Sequence, residues 1–130
     1  SGLIAQMAAM RFMHLGYQAH FVGEATAPSV RKGDALLLIS GSGRTAVTVG
    51  YAQIARREGA CVGVITSDPI GDLAGLADFS LCLPTDHTRQ FGGSLFEQSS
   101  LLVLDSIIMF LASQNSDAKT MMSHRHTNLQ

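Results

Sequence analysis

The chain holds little that would tie it to nucleic acid, to a bilayer or to an oxidising compartment. Only 15% of its 130 residues are charged, the formal net charge is −1, and there is no basic run. That balance argues against binding driven by neutralising a phosphate backbone. Cysteines number two, Cys61 and Cys82. Each stands inside an apolar, strand-like run, so both read as buried free thiols in a reducing cytoplasm rather than as a disulfide or a metal pair. No secretory h-region with a charged lead is present, and the apolar part of 101–112 is too short to span a bilayer. Internal repeats and low-complexity segments are lacking too. What is plentiful is apolar side chain, 46% of the residues, enough for one core in a chain of this length. The expectation is a single soluble cytoplasmic domain.

Hydrophobic runs alternate with helical patterns. Residues 1–15 read as a helix with Leu3, Met7, Met10 and Leu15 as its buried stripe, ended by Gly16. Gln18 to Val22 read as a short strand and 23–33 as a loop. A strand over 34–39 is followed by a Ser/Gly loop and a helix from about Thr45 to Glu58, stopped by Gly59. Cys61 to Ile65 is another strand, Asp68-Pro69 opens a turn and a short helix through Ala77, and Asp78 to Leu83 is a further strand. A polar loop over 85–93, a long helix from Ser94 to about Ser113 and a short C-terminal helix complete the series. Strand–helix alternation predicts an α/β layer fold with a parallel sheet.

The stretch 34–50, DALLLISGSGRTAVTVG, carries the strongest chemical signal. Its apolar run fits a strand buried on both faces. Glycines after it permit a sharp turn and close approach to a ligand, and the next helix offers unpaired N–H groups and a positive dipole end to an anion. Ser40, Ser42 and Thr45 add hydroxyls. No GxxxxGK[ST] pattern is present, so this is not a P-loop. Gly41, Gly43 and Ala46 satisfy GxGxx[GA], but the strand after it ends in Thr66-Ser67 rather than in the carboxylate that a ribose requires. A compact phosphomonoester fits better than a pyrophosphate. The competing reading is a plain strand-to-helix turn with a serine N-cap.

Glu97 is the second candidate. With Ser94 as the cap, S-L-F-E is a capping box. Glu97 also shares a helical stripe with Leu101, Leu104 and Ile108, which would place a partly desolvated carboxylate beside a helix N-terminus, as a general base requires. Spacing alone leaves cap and base open. Asp105 reads as a buried or interfacial hydrogen-bonding residue. His14, His20 and His87 lack metal-ligand spacing with one another or with a carboxylate, so no metal site is assigned. His124 and His126 lie in a basic tail.

Taken in order, Met-Arg-x-Met-His-Leu-Gly (10–16), Gly-Glu-x-Thr-x-Pro (23–28), Ser-Gly-Ser-Gly-x-Thr (40–45), Gly-Ser-Leu-Phe-Glu-Gln (93–98) and Arg-His-x-Asn-Leu (125–129) closely resemble the 6-phospho-3-hexuloisomerases, small sugar-isomerase (SIS) domain enzymes. The resemblance covers essentially the whole chain. It implies a Rossmann-like three-layer αβα sandwich and a cofactor-free isomerisation of D-arabino-3-hexulose 6-phosphate and fructose 6-phosphate, within formaldehyde fixation by the ribulose monophosphate route. It further implies that Ser40, Gly41, Ser42, Gly43, Arg44 and Thr45 hold the phosphate, helped by Ser1 as the close of a GxGRS motif. Glu97 is then the base, His126 reaches an active site from a neighbouring subunit, and the assembly is a homotetramer.

Three departures stand out. A strand, the GxGR portion and a leading helix would precede Ser1 in the family, so the chain reads as N-terminally shortened. Arg44 replaces a glutamate common in SIS loops, which would make the phosphate site more electropositive. Gln130 replaces a terminal glutamate. Two rival functions are another SIS aldose–ketose isomerase, such as an arabinose 5-phosphate isomerase, and a non-catalytic sugar-phosphate sensor. A dinucleotide-binding domain is a more distant third.

Overall fold

A computed structural model describes residues 1–129; Gln130 lies outside the described residues. The elements are α1 (Gly2–His14), β1 (Ala35–Ile39), α2 (Ala46–Arg57), β2 (Cys61–Thr66), β3 (Phe79–Cys82), α3 (Ser94–Ser113) and α4 (Ala118–Arg125). The three strands form a parallel sheet in the order β1-β2-β3, with Leu38 opposite Val64 and Ile65 opposite Leu81. This is the α/β fold with a parallel sheet that the alternation predicts. The chain divides into two compact units, 1–2 with 29–100 and 3–28 with 101 onward.

In the first unit the central strand is the buried one. Every residue from Val62 to Thr66 is buried, as a continuous apolar run predicts for a strand flanked on both sides. β1 is buried only at its C-terminal end and β3 is exposed along its whole length. The expected burial of Cys61 and Cys82 therefore fails: both are exposed free thiols, one at the first residue of β2 and the other on an edge strand. Ala52 and Ala55, one helical turn apart, let α2 lie close to the sheet. They complete a core with Leu38, Ala60, Val62, Val64 and Leu73. Asp78 fixes the start of β2, its Oδ2 accepting the Val62 N–H at 2.7 Å while its own N–H donates to the Val62 carbonyl at 2.8 Å.

In the second unit Leu15, Ile108 and Ala118 are buried together, with Phe12, Leu111 and Met122 packed around them. Arg11 pairs with Asp105 and ties α1 to α3. Gly16 ends α1 with φ +92°. Its N–H bonds the Met13 carbonyl and that of Tyr17 the Phe12 carbonyl, while the Tyr17 and Phe12 rings meet edge-on at 5.8 Å. That is a Schellman stop with its hydrophobic contact. The predicted stripe of α1 is only half right, since Leu3 and Met10 are exposed and Ala8 is buried instead.

Two predicted elements do not form. Residues 18–22 pair with no strand of the sheet, and Val22 already lies in a turn. The segment after Pro69 stays in successive turns through Leu76, because Leu73 donates its N–H across to the Gly43 carbonyl at 3.0 Å instead of into a helix. α3 has the expected bounds, but its apolar stretch is longer than the 101–112 segment that is too short for a span. Its 20 residues, with mean hydropathy 1.6, are long and apolar enough to cross a membrane by length and composition.

Leu73 is fully buried between the sheet core and the 40–45 loop. Leu73→Ala should cost about 2–5 kcal/mol through the cavity it leaves, read as a lower urea midpoint with an unchanged slope.

Candidate active site

The loop between β1 and α2 is an extension of the sheet. Past the last residue of β1, the Ser40 N–H still bonds the Ile65 carbonyl at 3.0 Å, and the Ser67 N–H bonds the Gly41 carbonyl at 3.0 Å. The buried Thr66 hydroxyl adds a third tie, donating to the Gly41 carbonyl at 3.1 Å and accepting the Asp68 N–H at 3.1 Å. The loop is thus fastened to the end of β2 chiefly through its own main chain.

Gly43 (φ +62°) and Gly71 meet where the loop crosses the β2–β3 connection. A Cβ on Gly71 would stand 2.9 Å from the Ser42 carbonyl oxygen and 3.1 Å from Gly43 Cα, both backbone atoms that cannot step aside. Only two glycines allow that approach.

The hydroxyls are mostly free. Thr45 is the N-cap of α2 in an extended conformation and makes no side-chain cap bond, so a serine or threonine capping turn is not what the loop forms. Thr45 Oγ1 lies 3.5 Å from the buried Ser40 Oγ, and the exposed Ser42 Oγ accepts the Arg44 N–H at 3.2 Å. The first N–H groups of α2, with no capping side chain, and this hydroxyl set together present donors to an anion.

Arg44 does not supply the extra positive charge expected of it. Its Nη1 donates to Asp68 Oδ2 and to the Ser42 carbonyl. Asp68 is in turn shifted below the ordinary carboxylate pKa, first by that Arg44 hydrogen bond and then by the Ile70 N–H at its Oδ1. From the sequence Asp68 stood out only as the opening of a turn with Pro69. The legible signal was its position: parallel neighbours deliver their C-terminal ends to the same sheet edge.

α3 begins one residue out of register for a capping box. The Glu97 N–H bonds the Gly93 carbonyl at 2.9 Å, so Gly93 takes the cap position. Ser94 Oγ instead donates to the Phe91 carbonyl at 2.6 Å, and the Ser94 N–H is also spent on that carbonyl. Glu97 is therefore released from a capping role. Its carboxylate is 47% exposed, less desolvated than the stripe with buried Leu104 and Ile108 implies. The Ser1 nitrogen donates to Glu97 Oε1 at 2.5 Å. Phe96 is buried beside the loop, its ring 3.4 Å from where a Gly41 Cβ would be. Ser1, the 40–45 loop and Glu97 thus belong to one unit, with the residue before Glu97 against the loop.

His126 belongs to the other unit. It caps the C-terminus of α4, its N–H on the Met122 carbonyl at 3.0 Å, and its ring faces that of His14 at 5.3 Å. His14 is buried, and burial, then His126, then Arg11 lower its pKa from 6.5. Among the described residues no cluster of three or more His, Cys, Asp or Glu could hold a metal ion.

Comparison with known proteins identifies the family. The SIS domain family model matches residues 1–113. A 3-hexulose-6-phosphate isomerase of Mycobacterium gastri is 40% identical over all of this chain and 69% of its own length. One from Bacillus subtilis is 36% identical over 100% of this chain and 75% of its own. The solved structure of a Methanococcus jannaschii protein, with an inferred molecular function of 3-hexulose-6-phosphate isomerase, superposes at TM-score 0.94. It shares 35% identity over all of this chain and 73% of that one.

The buried histidine sets a pH dependence. A folded-state pKa below 6.5 means that the unfolded chain takes up a proton first as the pH falls, so stability declines below about pH 6.5. Melting at about pH 7.5 and about pH 5.5 should show that loss, and His14→Gln should reduce it.

Proposed function

This chain belongs to the SIS-domain family, alongside the 3-hexulose-6-phosphate isomerases, and from that premise we propose that it interconverts D-arabino-3-hexulose 6-phosphate and fructose 6-phosphate. The observation that carries the proposal is the placement of Phe96 against Gly41, which supports a carboxylate, Glu97, next to an anion-binding loop. In this reading Ser40, Ser42 and Thr45, with the main chain of Gly41, Gly43 and Arg44 and the help of Ser1, hold the phosphate. Binding energy from that remote group presents the reacting carbons to the base.

Moving the carbonyl from C3 to C2 removes a proton from C2 and returns one to C3, through an enediol shared by both directions. A single carboxylate on one face of the intermediate serves both carbons. Donors near the oxygens stabilise the enediolate. The reaction is redox-neutral overall, so it calls for no nicotinamide. His126, exposed at the end of α4, is proposed to act at the site of a neighbouring copy. The whole of 1–130 then works as one SIS domain in the cytoplasm.

Glu97→Gln separates this from a non-catalytic sugar-phosphate sensor. Fold and fructose 6-phosphate binding should survive, while isomerisation and exchange of the substrate C2 proton in heavy water fall by orders of magnitude, about a hundredfold or more. Rapid exchange by a folded Glu97→Gln chain would place the base elsewhere. A parent chain that binds the sugar phosphate without exchanging that proton would favour the sensor. Product analysis by NMR distinguishes the hexulose substrate from arabinose 5-phosphate.

We also propose a symmetric homo-oligomer, a tetramer. Supporting it, α3 turns Leu102, Met109 and Phe110 to the surface at 69%, 72% and 64% exposure, and a shallow groove there is lined by Leu102, Val103, Ser106, Ile107 and Phe110. The apolar residues Ile107, Ile108, Phe110, Leu111, Met121 and Met122 are the ones the sequence offers for such a surface; Ile107 and Phe110 are exposed, while Ile108 is buried and Leu111 and Met122 pack around it within the same unit. A contiguous apolar face of this kind marks an association surface. Light scattering at micromolar concentration, without detergent, should give a mass of several chains; a monomer would refute the assembly and the shared role of His126.

A further inference from the structure

The proposed phosphate loop contains one cation, Arg44, and that cation is already engaged. Both recorded guanidinium hydrogen bonds leave from Nη1, one to Asp68 Oδ2 and one to the Ser42 carbonyl at 3.3 Å. Neither Ser40, Ser42 nor Thr45 accepts from it through a hydroxyl. The Ser42 carbonyl is the same atom that Gly71 approaches, so the guanidinium lies on the flank of the loop that abuts the 68–71 turn. Asp68 is held there independently of Arg44. Its N–H donates to Thr66 Oγ1, and its Oδ1 accepts the Ile70 N–H at 3.0 Å. The carboxylate is thus a fixed feature of the β2–β3 connection and not a mobile partner that a cation has recruited.

We propose that Asp68 masks Arg44, drawing its guanidinium to the flank of the Ser40–Thr45 loop so that the loop selects its anion by hydroxyl and main-chain N–H geometry and not by net charge. The inference rests on the phosphate-site reading above and assigns Asp68 as a specificity-determining residue that touches no substrate. An unmasked arginine at an anion loop attracts any small oxyanion through long-range charge. A neutral rim leaves discrimination to donors whose directions suit a phosphomonoester and to contacts with the sugar. An aspartate at this position would otherwise be a liability, since an unpaired carboxylate beside a phosphate site repels the ligand; pairing makes both charges silent.

Titration calorimetry of inorganic phosphate and of fructose 6-phosphate into the parent chain, Asp68→Asn and the double variant R44Q/D68N tests this. Asparagine keeps an oxygen for the Ile70 N–H and removes only the charge; Asp68→Ser serves if D68N fails to fold. The mask predicts that D68N binds inorganic phosphate about threefold to tenfold more tightly. The gain should shrink with added salt, disappear in the double variant, and exceed any gain for the sugar phosphate. A purely structural role for Asp68 would give equal or weaker binding. Phosphate affinity unchanged or reduced in D68N, or a gain that persists in R44Q/D68N, overturns the mask while leaving the phosphate site intact. A parent chain that binds neither ligand overturns the phosphate-site reading and the mask with it.

Discussion

Parallel pairing of β1 with β2 does not stop where the strands stop, and the candidate site depends on that continuation. Three bonds beyond the ladder, from Ser40 to Ile65, Ser67 to Gly41 and Leu73 to Gly43, hold the loop to the end of β2 and to the β2–β3 connection. Main-chain groups that would otherwise need water or a cap are satisfied there. The side chains of Ser40, Ser42 and Thr45 are consequently spared for a ligand. The same continuation brings Gly71 against Ser42 and Gly43, a contact only glycine tolerates.

Several charges of the first unit are spent in pairs. Arg44 meets Asp68, Arg31 meets Glu58 and Arg56 meets Asp78. Exposed pairs of this kind add little to stability. Their consequence is electrostatic, leaving the loop rim with the partial charges of a helix N-terminus and few full ones. Glu97 differs in that its partner is the ammonium of Ser1 and not an arginine or lysine side chain.

The second unit raises a different issue, because α3 satisfies the length and hydropathy of a membrane span while being only 22% buried. Two of its residues are carboxylates, and each is engaged within its own unit, Glu97 by Ser1 and Asp105 by Arg11. A span would carry both at high cost. An interface between copies hides the apolar face and leaves the carboxylates their partners, which is the physical preference behind the proposed assembly.

Much of this was legible in the residues. The apolar runs of β1 and β2, the Gly16 stop, the Ser/Gly loop and the length of α3 all follow from periodicity and turn chemistry, which act over a few residues. The motifs at 40–45 and 93–98 also announced the family. What periodicity cannot report is which strand is central: β3 reads as apolar as β2, yet as an edge strand it is exposed, and Cys82 with it. Nor could 18–22 be judged, since a strand exists only with a neighbour to pair. The capping box failed by a single residue of register. The Arg44–Asp68 pair joins positions 24 residues apart through the shared end of two strands. Local sequence determined the elements and the chemistry of the loop; only tertiary structure decided which faces are buried and which charges meet, because burial and Coulomb contact depend on distance in space and not on distance along the chain.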